Sequence, residues 1–92
     1  MRLDLFLKAT RLCPRRSVAQ KLCDAGLIWL NGTPAKSAHA VKVGDELSIR
    51  RPEKTTLVRV LAVPQNRQTS RTDARSLYEV LSEQWVEPGG PI

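Results

Sequence analysis

Apolar positions recur at helical spacing in two short stretches near the start of the chain. Leu3, Phe6, Leu7 and Ala9 form one stripe, which predicts a helix over residues 3–12. Asp4 falls in its first turn, where a carboxylate suits the positive helix end. Leu5 lies off the stripe, either exposed or against another element. Pro14 ends this helix or opens the next, where its missing N–H is no loss. Val18, Ala19, Leu22 and Cys23 then predict a second helix over residues 15–25. Gly26 follows as its left-handed terminating residue.

After Gly26 the pattern changes period. Leu27-Ile28-Trp29-Leu30 is a short apolar strand, and Asn31-Gly32 is a strong signal for a tight hairpin turn. Residues 33–36 return from that turn. Val41-Lys42-Val43 leads into a second turn at Gly44-Asp45, followed by strands over residues 46–50 and 57–63. Residues 65–71 read as a polar, basic loop. Thr72 or Asp73 can cap a third helix with Ala74, Leu77, Tyr78 and Leu81 as its stripe. The pattern predicts an α+β fold: a helical pair packed on a small, mainly antiparallel sheet, with a C-terminal helix. One domain is expected over residues 1–84, with a flexible tail over residues 85–92.

Ninety-two residues hold one small domain with a thin core. That leaves no room for a catalytic domain beside a binding domain. Cys13 and Cys23 are too few and too far apart for a zinc ribbon or a CxxC pair. Cys23 lies on the apolar side of its helix and reads as a buried thiol. Nothing suggests a disulfide scaffold, which fits a reducing, cytoplasmic setting. No apolar run approaches the ~20 residues of a membrane span. Lys8 and Arg11 interrupt any signal-peptide core at the N-terminus.

Charge sharpens the picture. The net charge is +6, and Arg2, Lys8, Arg11, Arg15, Arg16 and Lys21 all fall on or directly beside the two predicted helices. The segment from residue 76 onward carries Glu79, Glu83 and Glu87 and no cation. A directional positive face is therefore expected, completed by loops near Lys36, Arg50 and Arg51. A solvated helix face accounts for scattered cations, but four arginines on so short a stretch exceed what solubility needs. Arginine donates paired hydrogen bonds to phosphate and stacks on bases, so RNA is the expected partner. Arg15 and Arg16 open the second helix, whose amides add positive potential. Ser17 either caps that helix, the commoner role, or binds a phosphate.

Other candidates have structural explanations. His39 has no acidic or nucleophilic neighbour in sequence and reads as a turn residue. Asp45-Glu46 resembles a carboxylate pair, yet a turn followed by a strand accounts for both. Trp29 reads as half-buried packing, with base stacking as its functional alternative. Trp85 has no structural role that the pattern supplies. No phosphate-cradling glycine loop, metal-ligand spacing or nucleophile–base pair is present, so neither catalysis, a cofactor nor a metal is expected.

RLDLFLKATRL, RRSVAQKLCDAGLIWLNG and VKVGDELSI together resemble the S-four RNA-binding domain over residues 2–50. The ordered combination of Arg-Leu-Asp, Arg-Arg-Ser, Gly, Asn-Gly and Val-Gly-Asp carries the resemblance; any one alone is weak. It implies the helical-pair (αL) motif on a small sheet. A domain of this kind standing almost alone is similar to a small bacterial group comprising the RqcP-type quality-control proteins and the small heat-shock ribosome-binding protein. The heat-shock type usually has a longer basic C-terminal extension, whereas this chain ends soon after an acidic segment, which favours the RqcP type. The resemblance implies binding to large-subunit ribosomal RNA and peptidyl-tRNA on obstructed subunits. It also implies cooperation with a factor that recruits alanyl-tRNA for alanine tailing. By position, Arg2 and Arg16 match basic residues that the family uses for RNA contacts. The free protein is expected to be a monomer that does not engage membranes. Two other readings stay open at this point: a ribosome-assembly or generic structured-RNA factor, and a basic module for an acidic protein or membrane surface.

Overall fold

The structure is a computed structural model that describes residues 1–64 and 76–85. Two helices, α1 (Leu3–Ala9) and α2 (Arg16–Asp24), pack together on one face of an antiparallel sheet. The strands are β1 (Ile28–Leu30), β2 (Thr33–Pro34), β3 (Glu46–Arg50), β4 (Lys54–Val60) and β5 (Tyr78–Trp85), in the spatial order β2-β1-β3-β4-β5.

The stripe of α1 is buried as its spacing predicts, and that of α2 in part: Val18 and Leu22 are only half-buried. Leu3, Phe6 and Leu7 of α1 and Ala19 and Cys23 of α2 are buried against Ile28, Leu30, Leu47, Ile49, Val58 and Val60 of the sheet. α1 is shorter than the stripe predicts. Thr10 turns its hydroxyl back to the Phe6 carbonyl at 2.8 Å, and Arg11 adopts a left-handed φ of 61°. A hydroxyl that bonds to its own helix competes with continuation of that helix. Pro14 belongs to neither helix and lies in the link between them. Arg15, not Ser17, occupies the cap position of α2 and makes no side-chain cap hydrogen bond. Ser17 is exposed inside the first turn. At the other end, Gly26 N–H donates to Cys23 O and Leu27 N–H to Leu22 O, the paired bonds of a glycine-terminated helix.

The Asn31-Gly32 hairpin forms as read, with φ of 49° and 85° at its two central residues. Asn31 also ties the hairpin to the next turn. Its side-chain oxygen accepts from Glu46 N–H at 2.9 Å, and its amide donates to Asp45 at 3.1 Å. Asp45 accepts in turn from Lys42 N–H at 2.8 Å. The Asp45-Glu46 pair is thus engaged in turn and strand structure.

The predicted third helix is replaced by a strand. Tyr78–Trp85 pairs antiparallel with β4, with a bulge at Leu81 opposite the step from Leu57 to Val58. Tyr78 and Leu77 still pack on the core, which is why they resembled a helical stripe. Ala74, the caps Thr72 and Asp73, the loop 65–71 and the tail beyond Trp85 lie outside the described residues. Trp85 itself ends β5, with the Lys54 ammonium 4.6 Å from its ring centroid.

Candidate nucleic-acid interface

The chain enters α1 as an extended segment held by its neighbours. Arg2 bridges antiparallel to Ala40, and Val41 N–H donates to Met1 O at 2.9 Å. The first amides of α1 are also satisfied: Leu3 N–H bonds to His39 O at 2.8 Å and Asp4 N–H to Ser37 O at 3.1 Å. His39 is an exposed residue of this turn. These bonds fix the backbone from which Arg2 and Asp4 project, and they bring the Lys36 loop beside them.

Asp4 is the centre of the site. It is fully buried, yet it accepts from Leu5 N–H at 2.8 Å, Arg16 Nε at 3.0 Å and Gln20 Nε2 at 3.0 Å. Arg2 joins it at 3.3 Å. Burial pushes the Asp4 carboxyl up. The hydrogen bonds from Gln20, Arg16 and Leu5 N–H, with the Arg16 charge, outweigh burial and hold it below its ordinary 3.8. Its two arginines keep 45% and 40% of their side-chain surface exposed. Each arginine is therefore tied to a buried anion while much of its side chain stays open to solvent, from where a guanidinium can also reach a phosphate. Arg16 and Gln20 stand four residues apart on one face of α2, so a single carboxylate can reach both. The sequence names Arg2 and Arg16 as candidates but gives no sign of Asp4 as the group that ties them together, nor of Gln20.

The remaining candidates divide between surfaces. Lys8, Arg15, Lys21 and Lys36 are exposed around the helical pair. Arg11 lines a second cleft on the helix side of the sheet with Arg51, Lys54, Tyr78 and Glu83. Arg51 is half-buried and donates to the Leu12 carbonyl. Arg50 points the other way. Leu47 and Ile49 face the helices, so Ser48 and Arg50 face the uncovered side of the sheet. There the Arg50 guanidinium lies 4.2 Å from the Trp29 ring centroid. The expected directional positive face is therefore divided, with Arg50 on the side opposite the helices.

The thiols are not built for chemistry. Burial pushes the Cys23 thiol up to about 11, reinforced by Cys13 and by the Asp4 and Asp24 carboxylates. Burial also raises Cys13, partly offset by Arg51. Among the described residues there is no cluster of three or more His, Cys, Asp or Glu side chains that could hold a metal. No described helix is long and apolar enough to cross a membrane.

Comparison with known proteins agrees with this geometry. The S4 domain family model matches residues 1–47. A Streptococcus pneumoniae protein named RQC P-site tRNA stabilizing factor is 44% identical over 87 residues, covering 95% of this chain and 97% of that protein. A protein of the same name from Halalkalibacterium halodurans is 43% identical, covering 91% of this chain and 93% of its own length. Among solved structures, a trimeric Heat Shock Protein 15 from Vibrio cholerae superposes with a TM-score of 0.80 at 26% identity, covering 89% of this chain and 82% of that one. The chain belongs to the S4 domain family and, within it, to the family of RQC P-site tRNA stabilizing factors.

Proposed function

We propose that this protein is a non-catalytic RNA-binding factor. It acts in the cytoplasm on large ribosomal subunits that retain peptidyl-tRNA, during rescue of stalled translation. The observation that carries this reading is the pair Arg2 and Arg16, both held on the buried Asp4 carboxylate while their side chains stay 45% and 40% exposed. A pre-positioned pair of arginines spends little side-chain entropy on gripping a phosphate backbone. Lys8, Arg15, Lys21 and Lys36 widen the positive surface, Arg11 and Arg51 extend it into the second cleft, and exposed Ser17 offers a hydroxyl to a phosphate. Base edges of double-stranded RNA are hidden in a deep groove, so shape and phosphate spacing dominate recognition. The names of the relatives point the same way, toward a transfer RNA in the P site and ribosome quality control. On this reading the protein contacts ribosomal RNA and the tRNA together. It supports alanine tailing by a partner that recruits alanyl-tRNA, and it is a monomer when free.

Net charge cannot choose between RNAs, because any exposed ribosomal RNA attracts a +6 chain. Preference must come from simultaneous fit to two RNAs. The test is co-sedimentation at moderate salt, where scattered phosphate contacts are suppressed. The protein is expected with subunits bearing peptidyl-tRNA in excess over empty ones. Equal binding to both, or preference for immature particles or anionic vesicles, removes the rescue reading.

A further inference from the structure

The helices cover one face of the sheet and leave the other open. On the open face β1, β3 and β4 lie side by side, with Trp29 opposite Ser48 and Ser48 opposite Leu57. Alternation along β3 puts Glu46, Ser48 and Arg50 in one row on that face. These side chains line a concave cavity of about 420 Å³ beside the hairpin turn. We infer that this cavity is a second RNA site, in which one unpaired guanine base stacks on the Trp29–Arg50 pair.

Three observations support that occupant. First, the stack is preformed. Trp29 Nε1–H donates to Gly26 O at 3.0 Å, which fixes the indole, and the Arg50 guanidinium lies 4.2 Å from its centroid. A guanidinium held over an indole can offer its other side to a base and its N–H groups to that nucleotide's phosphate. Second, Arg50 is exposed and forms no ion pair among the described residues, unlike Arg59 and Lys54 nearby. Third, the cavity offers the groups a base edge needs. Leu57 provides an apolar surface, Ser48 a hydroxyl and Glu46 a carboxylate that is 45% exposed and only loosely paired, at 3.8 Å, with an Arg59 that also serves Glu79. Among the four RNA bases only guanine presents two adjacent N–H donors, N1–H and N2–H, that a single carboxylate can accept. Unpaired bases splayed from loops and bulges are what proteins read in RNA by stacking and edge hydrogen bonds. The site rests on the RNA-binding reading above and deepens it, because it lies on the face opposite the helices. One RNA surface would meet the phosphate-gripping arginines while a separate unpaired nucleotide enters the sheet.

Trp29 can report its own occupancy. In full-length protein carrying Trp85→Phe it is the sole tryptophan. Its fluorescence is followed during titration with the single-stranded pentamers UUGUU and UUUUU at moderate salt. A saturable change is expected with UUGUU at about tenfold lower concentration than with UUUUU. Glu46→Gln should abolish that preference, and Arg50→Ala should weaken both pentamers, with circular dichroism confirming that each variant is folded. The inference is overturned by the absence of a saturable change, by equal affinity for the two pentamers, or by a guanine preference that survives Glu46→Gln. A glutamate-rich peptide that produces the same change at lower concentration than UUGUU also overturns it, and assigns the face to a protein partner. Large-subunit sedimentation of the same protein separates the two readings. If the pentamers fail while subunit binding persists, only the pocket is lost.

Discussion

At the scale of single residues, Asp4 decides most. Its position in the first turn of a helix is legible in the sequence, and the helix dipole explains an acid there. Its burial is not legible, because that depends on how α2 crosses α1 and on the loop that carries Ser37 and His39. Gln20 was hidden for the same reason: nothing local distinguishes it from any polar residue on a helix. A buried carboxylate with this many donors makes a sharp prediction. Arg16→Ala leaves Asp4 with Arg2, Gln20 and Leu5 N–H and should cost about 1–2 kcal/mol, since a hydrogen bond to a buried charge is lost. Asp4→Asn should cost a similar amount near neutral pH. The pH dependence has a definite sign. The folded-state pKa lies below the ordinary 3.8, so the stabilisation is present above that value and is lost as pH falls through the depressed one. The stability gap between the natural protein and Asp4→Asn should therefore close in acid. Denaturant melts at pH 7 and pH 2.5 check it; a gap that persists unchanged at the lower pH would show that the Asp4 charge is not the source.

At the scale of elements, turns were readable and the last strand was not. Asn31-Gly32 specifies its own geometry, because both φ angles must be positive and these residues tolerate that. Gly26 ends α2 for a similar reason. The segment at Tyr78–Trp85 misled because Leu77, Tyr78 and Leu81 match a helical stripe over too short a window. The bulge opposite Leu57 and Val58 breaks the strict alternation that would have marked a strand. As an edge strand, β5 also leaves Val80 and Trp85 exposed, so burial gives no clean period there. Val80 and the aromatic residues Tyr78 and Trp85 were the available strand cues. The hairpin supplies the prediction at this scale. A Cβ added at Gly32 meets nothing within 4 Å, so any destabilisation by Gly32→Val is conformational. A branched residue at a φ of 85° should cost on the order of 1–2 kcal/mol. Gly32→Asn should cost distinctly less, because asparagine tolerates the left-handed region. Thermal melts that rank the two substitutions the other way would show that the turn is not held by this backbone requirement.

At the scale of the whole molecule, what matters is where positive charge is left unneutralised. The asymmetry between a basic N-terminal half and an acidic end was visible in the sequence. Its division between two faces of the sheet was not, because that follows from the pairing of β1 with β3. The structure adds a further distinction. Arg59 is shared between Glu46 at 3.8 Å and Glu79 at 3.3 Å, and Lys54 is paired with Glu83 at 3.1 Å. Such exposed pairs add little stability, but they cancel charge locally. Arg16 also has a carboxylate partner, yet that carboxylate is buried and serves Arg2 as well, so the outward field remains positive. Arg16→Ala and Arg59→Ala each remove one unit from a net charge of +6. If RNA binding depends only on total charge, the two variants should behave alike. If the helical pair forms the phosphate-binding surface, Arg16→Ala should lower the slope of log K against log salt by about one, while Arg59→Ala leaves it unchanged. Arg2→Ala with Arg16→Ala should fall short of the sum of the single effects on affinity, because both residues share Asp4. Titrations with structured ribosomal RNA across a salt series measure all of these slopes. Equal reductions for Arg16→Ala and Arg59→Ala would mean that RNA senses only the overall field, and the Asp4-anchored arginines would lose their place as the binding site.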